Sequence, residues 1–219
     1  MDLSKYCVAV FDCDGVILDS NKVKSEAFSL ALEGEPPELV SRFVEYHQLN
    51  GGVSRYVKFE YFFKELKKQK DYHHDLEQAL KRYGELSFQG LLKCSEVPHI
   101  RELLEYFRIN NIPCYVASGG AQEEVQEVLK LRELSQYFDE IYGSPKSKIE
   151  NLAELKSTGK LTGPMIYFGD AYSDLVAAKA FNMDFVFVNN VSEWEAGYNV
   201  CREQNISIVD DYSKLIETV

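Results

Sequence analysis

The chain has 219 residues, 45% of them hydrophobic and 27% charged, and carries a formal net charge of −11. That composition is of a soluble globular protein able to bury a core, and the length fits one large domain or a core with a smaller insert. The acidic balance excludes nucleic acid and an anionic membrane as principal partners, and no apolar run reaches the ~18–20 residues that a bilayer span requires.

Val8–Phe11 is a short apolar run that reads as a strand covered on both faces. It ends in Asp12-Cys13-Asp14-Gly15, two carboxylates one residue apart followed by a glycine. Extended geometry places both side chains on one side of the backbone, and like charges that close need a cation or a shared proton. Aspartates also end strands and open turns with no further role.

Residues 19–95 offer no convincing strand. Four helical stretches are predicted, Asn21–Glu33, Glu38–Tyr46, Arg55–Lys68 and His74–Phe88, punctuated by Pro36-Pro37 and Gly51-Gly52. This is an all-helical insert placed after the first strand. The Gly51-Gly52 pair is followed at once by Ser54, Arg55 and Lys58. Arg55 and Lys58 are three apart and share a helix face. They read either as contacts to a ligand's leaving group or as exposed cations after a turn capped by Ser54. His47 reads as structural or solvent-facing, and the basic Lys64–Lys70 stretch as a solvated face.

Beyond residue 95 strands and helices alternate. Helices are predicted at Val97–Asn110, with Pro98 in its first turn, Gln122–Leu131, Lys148–Lys156, Ser173–Phe181 and Glu193–Glu203. Strands are predicted at Pro113–Ala117, Glu140–Tyr142, Met165–Phe168, Phe185–Val188 and Ile206–Val209. The alternation gives an α/β fold: a Rossmann-like parallel sheet with helices on both faces. Ligands of such sheets bind beyond the carboxyl ends of the strands.

Polar residues stand at those ends. Ser118-Gly119-Gly120 forms a phosphate cradle or a plain turn with a helix cap. In Gly143-Ser144-Pro145-Lys146-Ser147-Lys148, either lysine offers a cation to the first aspartate, with Lys148 better fixed at the start of a helix. Asp170 follows a strand and a glycine, and Asp174 falls in the first helical turn, where it also suits the positive helix end. A few carboxylates facing one ion, with water and phosphate completing an octahedron, are what magnesium prefers.

Asp-x-Asp-Gly after the first strand, Ser after the second, Lys before a later helix and then Gly-Asp-x-x-x-Asp, in that order, resemble the haloacid dehalogenase superfamily over the whole chain. The insert resembles that superfamily's small α-helical cap class. The resemblance implies a catalytic core of residues 1–18 and 96–219 and a helical cap domain of residues 19–95. It implies a magnesium-dependent phosphatase acting on a small phosphorylated metabolite, sugar phosphates among them, through an aspartyl-phosphate. Asp12 would be the nucleophile, and Asp14 would protonate the leaving alcohol and then activate water. Magnesium would be held by Asp12, the backbone carbonyl of Asp14 and Asp170, with Asp174 in support. Ser118 and Gly119 would bind phosphoryl oxygens, Lys148 would balance charge, and Arg55 and Lys58 would reach the substrate from the cap. A sugar-phosphate mutase using the same aspartates stays open, as does a non-catalytic binding protein on the same fold. A dehalogenase is disfavoured, since that chemistry needs neither magnesium nor Asp14.

Met1–Tyr6 lacks the basic start and apolar stretch of a signal peptide, so a cytoplasmic location is expected, with the chain a monomer or homodimer. The cysteines (Cys7, Cys13, Cys94, Cys114, Cys201) are odd in number and form no Cys-x-x-Cys pair. Cys7 and Cys114, in apolar runs, read as small buried residues.

Overall fold

A computed structural model describes residues 1–216. Among these, six strands form one parallel sheet: β1 Val8–Phe11, β2 Cys114–Ala121, β3 Glu140–Ser144, β4 Met165–Gly169, β5 Asp184–Val188 and β6 Ser207–Val209. Their order is β3-β2-β1-β4-β5-β6. The chain moves outward from β1 on one side and restarts at β4 on the other, so the carboxyl ends of β1 and β4 flank the switch point at which open α/β sheets bind ligands.

Both faces of the sheet are buried, which explains the unbroken apolar runs. Phe11, Val116, Phe168 and Val186 face α5 (Ile100–Ile109), α6 (Gln122–Leu131) and α10 (Ser213–Ile216). Val10, Tyr115, Tyr167 and Phe187 face α7 (Lys148–Ser157), α8 (Tyr172–Ala180) and α9 (Gly197–Glu203). Successive residues alternate between the two clusters, as the strand period of two requires. Phe11 and Phe168 stack at 4.7 Å across β1 and β4, and each fully buried Phe contributes about 1.5–3 kcal/mol.

Residues 21–93 carry α1 (Asn21–Ala31), α2 (Pro37–Leu49), α3 (Arg55–Tyr61) and α4 (His73–Lys93). They bury a third cluster of their own, built on Phe28, Phe43, Phe59, Phe62 and Tyr83. The single helix predicted over Arg55–Lys68 passes into a π-helical turn at Phe62–Leu66, where Lys67 N–H donates to the Phe62 carbonyl, and ends at Lys68 with φ 53°. Ser54 caps α3, its hydroxyl accepting from Tyr56 N–H.

Three sequence expectations need correction. α5 begins at Ile100, not Val97, so Pro98 lies outside its first turn. Val97 N–H is committed to the Ile17 carbonyl, and His99 takes a left-handed φ of 65°, which no helix continues. α9 begins at Gly197, not Glu193, because Ser192–Trp194 form a turn in which Trp194 N–H donates to Ser192 Oγ. Cys7 is exposed, since β1 starts one residue after it. No described helix is long and apolar enough to cross a membrane.

The helical insert is tied to the sheet-bearing part through Glu124 of α6. Its carboxylate takes both ends of the Arg55 guanidinium and the Ser87 hydroxyl, and Arg55 also lies 4.5 Å over the Tyr83 ring. Both partners of this pair are buried, 6% and 9% exposed at the side chain. Removing one partner leaves the other charge uncompensated, so Glu124→Leu is expected to destabilise by about 3 kcal/mol in urea titrations.

Candidate active site

The register between β1 and β4 sets the site. Phe11 lies beside Phe168, and Asp12 N–H donates to the Phe168 carbonyl at 2.9 Å, which brings the end of β1 against Gly169-Asp170. Asp12, Asp170 and Asp174 each present a carboxylate oxygen, all within 4.8 Å of one another. None is more than 4% exposed.

Lys148 joins them from the first residue of α7. Its Nζ is 3.0 Å from Asp12 Oδ2 and 2.5 Å from Asp174 Oδ1. Asp174 is fully engaged, accepting also from the Tyr167 hydroxyl at 3.0 Å and from Ala171 N–H at 3.0 Å. Asp170 accepts from Asn21 of the insert at 2.6 Å. Asp12 Oδ1 is buried and has no hydrogen-bond partner among the described residues. Two of the three carboxylates thus share the Lys148 ammonium, and Asp170 is held by the neutral Asn21 amide.

Burial first, and then Asp174 and Asp14, raise the Asp12 pKa to about 7 in spite of Lys148. Asp170 is pushed well above its ordinary value by burial and by Asp12. Burial works against the Lys148 ammonium, but Asp12 and Asp174 overcome it and its pKa rises. An orphaned carboxylate oxygen, uncompensated negative charge and an all-oxygen donor set together fit a small hard divalent cation such as magnesium.

Asp14 stands apart. Its carboxylate is outside the three-acid cluster, because the chain turns at Gly15 (φ 73°) and the side chain faces the insert. There it accepts from Ser20 Oγ at 2.6 Å and pairs with Lys24 of α1. Burial raises its pKa, but Lys24 and Ser20 outweigh burial and the net shift is downward. Asp12 and Asp14 nevertheless line one cavity, closed above by the insert.

Of the two candidate lysines, only Lys148 reaches Asp12. Lys146 is turned outward to Glu154. Ser118 is fully buried and its Oγ accepts from Gly120 N–H at 3.0 Å, while Gly119 and Gly120 line the cavity. Arg55 and Lys58 both line it too, and both are buried, not exposed. Arg55 lines the cavity while paired with Glu124. Lys58 sits 2.7 Å from His47 Nδ1.

The loop 50–53 seats directly on the site. Ser173 Oγ donates to the Gly51 carbonyl at 2.9 Å, and Gly52 takes φ 75°. A Cβ on Gly119 would collide with the Gly52 carbonyl. Gly119→Ala is therefore expected to lift this loop and lower kcat/KM by about 10²-fold, the scale set by displacements of an ångström; steady-state kinetics and Tm together separate this from unfolding.

Lys24, Asn21 and Glu193 escaped sequence reasoning. For the first two a signal existed: Asn21, Lys24 and Phe28 fall on one face of α1, and a lysine among the buried Ala27, Phe28 and Ala31 is out of place unless it meets an acid. Glu193 carried none.

A family model described as haloacid dehalogenase-like hydrolase matches residues 9–188. The chain is 25% identical over 185 residues to the phosphorylated carbohydrates phosphatase of Thermotoga maritima, covering 81% of this chain and 82% of that one. Among solved structures, a predicted phosphoglycolate phosphatase from Haemophilus somnus superposes with a TM-score of 0.78 at 16% identity, covering 99% of each chain. A beta-phosphoglucomutase from Clostridium difficile gives 0.71 at 21% identity, covering 95% of this chain and 92% of that one.

Proposed function

Because this chain belongs to the haloacid dehalogenase-like hydrolase family, as one of its phosphatases, we propose that it releases phosphate from a small phosphorylated carbohydrate, with Asp12 as nucleophile. The observation that carries the reading is the bare, buried Asp12 Oδ1 beside Asp170 and Asp174. Magnesium would be held by Asp12 and Asp170, with the backbone carbonyl of Asp14 and with Asp174 in support. When bound, such an ion neutralises phosphoryl oxygens and the carboxylates around them.

The chain's own residues divide the rest of the work. Lys148 holds the Asp12 carboxylate through Oδ2, and the Asp12 oxygen that does not face the metal would attack phosphorus, so the alcohol departs and an aspartyl-phosphate forms on Asp12. Ser118 and the backbone of Gly119 stand at the end of β2 to hold phosphoryl oxygens. Asp14, on the insert side, is placed for the leaving oxygen. As a carboxylate paired with Lys24 it is ready to take a proton from water in the second half; in the first half a phosphate dianion beside it favours its protonated form. The helical insert acts as the lid that excludes bulk water. The domain division at residues 19–95 follows from this role, with the insert's separate apolar cluster in support.

Phosphate release from p-nitrophenyl phosphate and from a panel of sugar phosphates is the test. Turnover is expected with magnesium, to vanish in EDTA and to return on adding magnesium back. Turnover untouched by EDTA would defeat the metal assignment.

A pH dependence follows. The folded pKa of Asp12 is raised from 3.8 to about 7 and that of Asp170 also lies above its ordinary value, chiefly by burial. Between those limits the folded chain holds protons that the unfolded chain has released. Their stabilising contribution is full below the unfolded value and is lost as pH rises through the folded one. Magnesium must displace the same protons, so its addition is expected to raise Tm more at about pH 8 than at about pH 5. An equal rise at both, read by differential scanning fluorimetry, would contradict this.

A further inference from the structure

The insert side of the cavity holds a second polar cluster that the phosphoryl chemistry does not use. Lys58 of α3 is 1% exposed and, among the described residues, has no carboxylate within ion-pair distance; its Nζ lies 2.7 Å from His47 Nδ1 and 3.3 Å from the His47 carbonyl. Burial, with Lys24 adding to it, lowers the Lys58 pKa to about 7; in its ammonium form Lys58 only donates, so there Nδ1 is the acceptor and the ring hydrogen is on Nε2. Burial, followed by Lys58 and Lys24, depresses the His47 pKa to about 2, which keeps the ring neutral.

His47 Nε2 is buried and has no hydrogen-bond partner among the described residues. The Glu193 Oε2 atom lies 3.8 Å away, outside hydrogen-bond range. Glu193 comes from the segment after β5 and accepts from Ser25 Oγ at 2.9 and 3.0 Å and from Gln48 Nε2 at 3.3 Å. A carboxylate has about four lone-pair sites, so it retains room to accept once more. Both His47 and Glu193 line the cavity that contains Asp12.

Nε2 is closed off from solvent in this structure, so a ligand reaches it only if the surrounding side chains give way; a donor and an acceptor 3.8 Å apart would then share one oxygen off the line between them, about 2.8 Å from each, accepting from Nε2–H and donating to the carboxylate. A hydroxyl does both. A carboxylate or second phosphate cannot donate, and it would meet Glu193 as a like charge. Trp194, next in sequence and paired edge-on with Tyr172 at 5.7 Å, gives the same wall an apolar surface.

We infer that His47 and Glu193 form a hydroxyl-reading subsite, and that the substrate carries a single phosphate on an uncharged, hydroxyl-bearing skeleton. Lys58 is the positioning residue that fixes the His47 tautomer. The inference rests on the phosphatase reading and narrows its substrate class.

The experiment compares kcat/KM for hexose, pentose and glycerol monophosphates with their deoxy counterparts, a hexose bisphosphate and phosphogluconate, in wild type, Glu193→Leu and His47→Phe. Wild type is expected to favour at least one hydroxylated monophosphate over its deoxy counterpart by ~10-fold or more, the scale of one hydrogen bond to a charged group. Glu193→Leu is expected to reduce that preference to ~2-fold, with KM rising more than kcat falls. The Glu193 side chain is 21% exposed, so this variant carries the test should His47→Phe not fold. An undiminished preference in Glu193→Leu, or a wild-type preference for the bisphosphate or the sugar acid, overturns the inference and leaves the phosphatase reading standing. A wild type that cleaves p-nitrophenyl phosphate but none of the panel overturns the carbohydrate reading itself.

Discussion

Asp12→Asn is expected to lower phosphate release by at least ~10³-fold while the protein stays folded. The substitution keeps the shape of the side chain but takes away the carboxylate that would attack phosphorus, and an amide is no substitute nucleophile. Its structural cost is small for a buried residue. Lys148 loses one partner at 3.0 Å but keeps Asp174 at 2.5 Å, and the cluster sheds one of three mutually repelling acids. Phosphate release and a thermal melt on the same preparation check both halves. A variant retaining a tenth of wild-type activity would place the nucleophile elsewhere.

Asp170→Asn is expected to move activity and stability in opposite directions. Asp170 is buried beside Asp12 and Asp174, and its hydrogen bond is from the neutral Asn21 amide, not from a cation. An asparagine carbonyl still accepts from Asn21, so the change removes repulsion at little cost in hydrogen bonding. In EDTA the variant should be more stable by about 1 kcal/mol, or about 2–4 °C in Tm for a chain of this length. Its turnover should fall ~10²-fold or more, and the magnesium-induced rise in Tm should disappear. Sites that concentrate like charge for function give up stability in this way. A drop in Tm in EDTA would mean that Asp170 is held by interactions that the acidic cluster does not explain.

The grouping of polar residues at the strand ends was legible because it depends on local features. Each apolar run ends in its polar residues, and parallel pairing then forces Asp12, Ser118 and Asp170 to one rim of the sheet. The choice between Lys146 and Lys148 was also written in the sequence, in the Ser147-x-x-Glu150 capping box. Ser147 accepts from Glu150 N–H while Glu150 accepts from Ser147, which sets Lys148 as the first residue of α7. Arg55 and Lys58 do point into one cavity, as their spacing of three implies, yet their partners could not be read. Arg55 meets Glu124, 69 positions away, and Glu193 meets Ser25 at a separation of 168. No periodicity encodes such pairs; they follow from how the insert packs over the sheet. The same holds for Lys24, whose acid is Asp14 across the turn from β1 into α1.

Trapping the covalent intermediate tests the central claim most directly. Enzyme quenched during turnover of p-nitrophenyl phosphate with magnesium, treated with borohydride and digested, should carry homoserine at position 12, because an acyl phosphate is reduced there while free carboxylates are not. Homoserine at Asp14 or Asp170, or none at all in enzyme that is releasing phosphate, would contradict Asp12 as the group that accepts phosphorus.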